Sequence, residues 1–149
     1  MTTTPDTQPT ALATANTAVV AAFIDELFSA GDLTAVDRYL DPAIVNHDPP
    51  MGGPPGLEGW RQAAMTMRTA CADWHSDRLH MVAQDDLVAE HFVASGTHTG
   101  PLFGVAPTGA TLTLAGINLF RVRDGRIVER WGTLDQLGML RQLGLAPAP

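Results

Sequence analysis

The stretch Leu87-Val88-Ala89-Glu90-His91-Phe92-Val93-Ala94-Ser95-Gly96-Thr97-His98-Thr99 decides the fold. In an extended chain Val88, Glu90, Phe92, Ala94, Gly96 and His98 share one face, and Ala89, His91, Val93, Ser95 and Thr97 share the other. The runs His75 to Gln84, Thr111 to Val122 and Arg126 to Thr133 also read as strands. Asp85-Asp86 and Asp124-Gly125 stand between runs where tight hairpin turns belong. This half of the chain is a meander of antiparallel strands.

Upstream the period changes from two to that of a helix. Val19, Val20, Phe23, Ile24, Leu27 and Phe28 mark one helical face, with Gly31 placed to end it. Asp32 suits the cap of a short helix over Leu33 to Leu40. Ile44 to Asp48 reads as a short strand leaving into the Pro/Gly-rich loop Pro49 to Gly56. Leu57 to about Ala72 carries Trp60, Ala64, Met67 and Cys71 at helical spacing, and Leu137 to Leu143 forms a last short helix before Gly144. Three helices followed by long strands predict an α+β fold. The expected form is a curved antiparallel sheet with helices packed in its concave face, forming a cone-shaped barrel with one pocket. Residues 15–145 form the single domain, with Met1 to Thr14 a disordered lead-in and Ala146 to Pro149 a flexible tail.

A chain of 149 residues is one domain's worth, and 45% hydrophobic with 17% charged residues is a folding composition. Sixteen acids against nine bases leave a net charge of −7, which disfavours nucleic acid and anionic membrane surfaces as partners. Cys71 stands alone, so no intrachain disulfide exists, and a packed thiol is its expected state. No apolar run of membrane-span length and no basic start with an apolar block is read in the chain. A cytoplasmic location is expected.

Five segments, in order and spacing, carry a family resemblance. They are Ile44 to Pro49, Gly96 to Gly100, Gly104 to Gly109, Asn118 to Glu129, and Trp131 with Asp135-Gln136-Leu137-Gly138. Over roughly residues 18 to 145 the chain resembles the SnoaL-like polyketide cyclases of the nuclear transport factor 2-like superfamily. The resemblance implies the cone-shaped fold and a pocket for a small apolar or aromatic substrate. The superfamily also hosts isomerases, dehydratases, hydrolases, hydroxylases and proteins that only bind, so the fold does not choose the reaction.

Asp135 lies at the end of the last strand, four residues after Trp131. It can cap the final helix. The resemblance places it instead at the family's catalytic acid/base, where an apolar pocket would raise its pKa toward the useful range. His98, before the loop Gly100 to Gly109, is a second catalytic candidate or a solvated strand end. Of Asn46 and His47 only one can point inward; the resemblance favours His47 as a third catalytic group, and a turn is the alternative use of both. Asn118 shares a face with Leu112, Leu114, Phe120 and Val122 and needs a partner if buried. Trp60, Trp131 and Phe103 can wall a pocket for a flat substrate or pack in the core.

No two of the five histidines sit three or four apart, and no phosphate loop, dinucleotide fingerprint or nucleophile elbow is present. No metal and no cofactor is called for. The leading expectation is a cofactor-independent cyclase closing a ring in an aromatic polyketide intermediate by intramolecular aldol chemistry. A hydroxylase using the same pocket with a reductase partner, and a protein that binds without catalysis, are the rivals. Ala89, Val93, Ile117 and Leu119 would leave an apolar outer face, so a homodimer or homotetramer is expected.

Overall fold

The computed structural model describes residues 9–149. Helix α1 (Ala11–Ile24) starts behind Thr10, whose side chain accepts a hydrogen bond from the Ala13 N–H, and continues as a π-helical turn over Asp25–Ser29. The expected lead-in therefore ends earlier than Thr14. The Thr10 cap recruits Ala11–Thr14 into the helix, and residues 1–8 lie outside the described residues. Helix α2 (Ala35–Tyr39) runs directly into strand β1 (Leu40–Asn46), which begins four residues before the expected Ile44. Helix α3 (Gly56–Ala70) follows the loop and a 3₁₀ turn at Pro50–Gly52. Strands β2 (His75–Gln84), β3 (Leu87–Thr97), β4 (Thr111–Arg123) and β5 (Arg126–Leu134) then form the meander, and α4 (Gln136–Gln142) closes the chain.

The five strands form one curved sheet in the order β1-β5-β4-β3-β2. It is mixed, because β1 pairs parallel to β5 while all other pairs are antiparallel. It is also open at both edges rather than closed into a barrel. The helices cover one face. Val20, Phe23, Ile24 and Leu27 of the first helix, Trp60 and Ala64 of α3, and Val88, Phe120 and Ile127 of the sheet form one buried cluster. A second cluster joins Trp74, Phe92, Ala94, Leu102, Leu112 and Met139. The aromatic rings of Phe23 and Trp60 meet edge to face at 5.3 Å, the arrangement that ring quadrupoles favour.

The helical run Ala11–Ser29 has 19 residues and a mean hydropathy of 1.4, long and apolar enough to cross a membrane by length and composition. The expectation of no such run is corrected here. In this fold its apolar stripe is core: Val20, Phe23, Ile24 and Leu27 are at most 3% exposed. Arg68 of α3 fastens its end by donating to the Phe28 and Ser29 carbonyls (2.7 and 3.0 Å), which satisfies acceptors that a helix terminus leaves open.

Candidate active site

Between the helices and the concave face of the sheet lies a cavity of about 280 Å³. Its walls are mainly apolar and aromatic, with Phe28, Trp60, Trp74, Phe92, Phe103 and Leu134 among them. Such a space, with few polar groups set into it, is how small-molecule sites are commonly built.

The polar groups come from neighbouring strands. Register pairs Glu90 of β3 with Asn118 of β4, and Asn118 with Gly132 of β5, so the three lie in one row across the sheet. Asn118 Nδ2 donates to Glu90 Oε2 at 3.2 Å. Asn118 Oδ1 accepts twice from Arg130, from Nε at 3.0 Å and from Nη2 at 2.7 Å. Arg130 Nη1 donates to Asn46 Oδ1 (3.2 Å) and to the Asp48 carbonyl (2.6 Å), and its guanidinium lies 5.4 Å from the centre of the Trp60 ring. Gly132 makes this arrangement possible, since a Cβ there would collide with the Arg130 guanidinium. Glu90, Asn118 and Arg130 are at most 5% exposed, and all three line the cavity.

Burial pushes the Glu90 carboxyl above its ordinary value; the hydrogen bond from Asn118 and the charges of Arg78 and Arg130 oppose that shift without cancelling it. Burial also lowers Arg130 to about 10, against the attraction of Asp48 and Glu90, so it stays a cation at neutral pH. Glu90 Oε1 and Trp60 Nε1 are buried without a hydrogen-bond partner. An acceptor and a donor are thus left unsatisfied on residues that wall the same apolar cavity. Burying such groups unpaired costs about 1–3 kcal/mol each, which a polar ligand would recover. Sequence reasoning missed Glu90 and Arg130. The signal for Glu90 was a charged residue sharing a strand face with Val88, Phe92 and Ala94.

The sequence-based site residues divide between inside and outside. Asn118, Trp60 and Phe103 line the cavity, and Asn46 meets it through Arg130. His47 is exposed and turned outward; its Nε2 lies 2.7 Å from Glu129, and its ring stacks on Trp131 at 4.9 Å. Trp131 is on that outer face too, with the Arg121 guanidinium 5.7 Å from its ring centre. A one-residue bulge explains this. Val122 pairs with Ile127 but Arg121 pairs with Glu129, so Val128 is inserted and the alternation reverses. Arg130 then faces inward where counting from Ile127 would have put Glu129 and Trp131. His98 is wholly buried rather than at a mouth; its Nδ1 meets Thr108 Oγ1 at 3.0 Å and accepts from the Thr108 N–H at 3.3 Å.

Asp135 is exposed and absent from the cavity wall. Its Oδ1 accepts from the Gly138 N–H at 2.8 Å, capping α4. The desolvated carboxyl expected at this position is supplied by Glu90 instead. Asp135→Ala should lower stability by about 1 kcal/mol through the lost cap, whereas Asp135→Asn should keep most of it. Chemical denaturation reads both, and turnover should persist in the two variants. Among the described residues, no group of three or more His, Cys, Asp and Glu side chains is arranged to hold a metal ion.

An open α+β cone whose cavity holds a buried carboxyl, an amide and a guanidinium has the architecture of the nuclear transport factor 2-like class. The family model for SnoaL-like polyketide cyclases matches residues 18–143, and the chain belongs to that family. It is 30% identical over 108 residues to the aklanonic acid methyl ester cyclase of Streptomyces peucetius, covering 72% of each chain. It is 29% identical over 124 residues to the nogalonic acid methyl ester cyclase of Streptomyces nogalater, covering 78% of this chain and 89% of that one. Among solved structures, IdmH of Streptomyces antibioticus, a candidate polyketide cyclase, superposes with a TM-score of 0.75 at 36% identity, covering 87% of this chain and 98% of its own. AclR of Streptomyces galilaeus superposes with a TM-score of 0.80 at 22% identity over 91% and 89%, a likeness of fold.

Proposed function

We propose that this chain is a cofactor-independent cyclase that closes a ring in an aromatic polyketide intermediate by an intramolecular aldol reaction, with Glu90 transferring the proton. The observation that carries this reading is the Glu90 carboxyl. It is fully buried at an apolar cavity, has one oxygen without a partner, and is pushed toward the range where a base works near neutral pH. As a carboxylate it removes a proton from the carbon beside a carbonyl. The resulting enolate attacks a second carbonyl carbon, forming the C–C bond, and the new alkoxide takes the proton back from Glu90. Atoms balance with nothing added or lost.

The Arg130 charge and the Trp60 N–H are suited to hold the oxygen on which negative charge develops, an effect that grows where water is excluded. Asn118 fixes Glu90 and Arg130 relative to each other. The aromatic walls favour a flat substrate, and folding it inside the cavity supplies much of the rate by proximity. The names of the curated relatives support this substrate class.

The test is mass spectrometry of the products formed in air from aklanonic and nogalonic acid methyl esters. A new product of unchanged mass, lost in Glu90→Gln, is expected. A product one oxygen heavier would replace the cyclase with a hydroxylase, and ligand binding without any product would make the chain a binding protein.

A further inference from the structure

The hairpin tip Leu102–Val105 is closed by reciprocal bonds, Leu102 N–H to Val105 O (3.0 Å) and Val105 N–H to Leu102 O (2.9 Å). Its two central residues both have positive φ, +48° at Phe103 and +78° at Gly104. That backbone favours Asn, Asp or Gly at the first central position and disfavours a bulky side chain there. The chain itself shows the ordinary solution. The β4–β5 turn has nearly the same geometry, +51° and +75°, and uses Asp124-Gly125. At the Leu102–Val105 tip an aromatic ring stands in that strained position instead.

The ring lines the inner cavity and also a shallow, open depression on the outside, walled by Met65, Thr66, Thr69, Pro101 and Leu102. Phe103 and Thr66 are the residues common to both. Phe103 is 40% exposed, while Leu102 beside it is 2% exposed and anchored in the second core cluster. The root of the loop is held as well. Thr99 and Gly100 N–H groups both donate to the Ala70 carbonyl, and His98 ties down Thr108. The backbone is thus fixed on both sides, and the half-exposed Phe103 ring stands between the two spaces. The outer pocket offers apolar carbon and two threonine hydroxyls, and its walls carry no charged side chain.

We propose that Phe103 is a specificity-determining gate between the two pockets. The fused rings of the substrate occupy the inner cavity, and an uncharged apolar arm passes the Phe103 ring into the outer pocket. This rests on the cavity being the substrate site, as the proposed function requires.

The experiment compares two probes by quenching of tryptophan fluorescence, since Trp60 and Trp74 line the cavity. One is 1,8-dihydroxyanthraquinone and the other its 3-hexyl derivative. The parent should bind the hexyl probe about tenfold more tightly or better, because several methylenes leave water. Phe103→Asn places a preferred turn residue at the tip, so its melting temperature should hold or rise while the tenfold preference falls to about twofold. Met65→Lys, altering only the outer pocket, should remove the same preference and leave the bare ring's affinity unchanged. The proposal is overturned if both variants keep the parent's preference. It is equally overturned if Phe103→Asn melts earlier and loses both probes alike, since Phe103 would then be a packing residue. If neither probe binds the parent, the cavity reading falls and takes the gate with it. Arm preference without turnover of the polyketide esters would sink the cyclase alone.

Discussion

Glu90→Gln should fold and bind ligand yet lose turnover by about 10²- to 10⁴-fold, the range that general acid–base groups supply. Glutamine keeps the size of the side chain and can still accept from Asn118 Nδ2, so the row Glu90–Asn118–Gly132 stays in place while the exchangeable proton is gone. Steady-state kinetics should show kcat falling with KM little changed. The parent's rate should rise with pH along a limb that lies above the ordinary glutamate value of about 4.3. Stability should move the opposite way. A carboxyl whose pKa is raised on folding binds its proton more tightly in the native state. Its contribution is therefore fully present below the unfolded value and is lost as pH rises through the folded one. Glu90→Gln removes that loss. The variant should be the more stable protein at pH 8, with the difference shrinking toward pH 4, as urea titrations at the two pH values would read. Equal pH dependence in parent and variant would mean that Glu90 is not desolvated. Unchanged turnover would end its catalytic assignment.

Arg130→Met should cost about 3–5 kcal/mol, a large share of the roughly 5–15 kcal/mol that a domain commonly has. The side chain is 1% exposed and makes four hydrogen bonds that methionine cannot make. Its removal leaves Asn118 Oδ1 and the Asp48 carbonyl without these donors and strips Glu90 of a neighbouring positive charge. The Glu90 carboxyl should then rise further, and the acid limb of any residual activity should move up in pH. Arg130→Lys should recover little, because an ammonium keeps the charge but cannot present the fork that grips Asn118 through Nε and Nη2 at once. Calorimetry should place the methionine variant about 10 °C or more below the parent. A shift of one or two degrees would show that the buried network contributes little to stability.

The strands and their inward faces could be read directly. Alternation along Leu87 to Thr97 places Val88, Glu90, Phe92, Ala94 and Gly96 on one side, and these are the buried residues of β3. The helical stripe from Val20 to Leu27 is likewise buried as its spacing requires. Site residues chosen at strand ends fared differently. His47 lies just past β1 and Asp135 just past β5, where the strand no longer dictates which way a side chain turns. Asp135 bends back to the free N–H at the start of α4, a local partner that competes directly with any role in the cavity. Trp131 lies on the outer face for another reason, since parity along a strand reverses once a bulge inserts a residue.

Period and turn chemistry alone determine that this chain is α+β, that its second half is a meander, and that Glu90 and Asn118 share the sheet's inner face. Those are local properties, set by steric alternation and by which residues tolerate a turn. The tertiary structure decided that β1 runs parallel to β5 and that the Val128 bulge turns Arg130 inward over Gly132. It also decided that Glu90, rather than Asp135, is the carboxyl held out of water. Desolvation and hydrogen-bond partners depend on what other strands and helices bring near a group, and residues 40 positions apart in sequence, such as Glu90 and Arg130, are joined only when the sheet has formed.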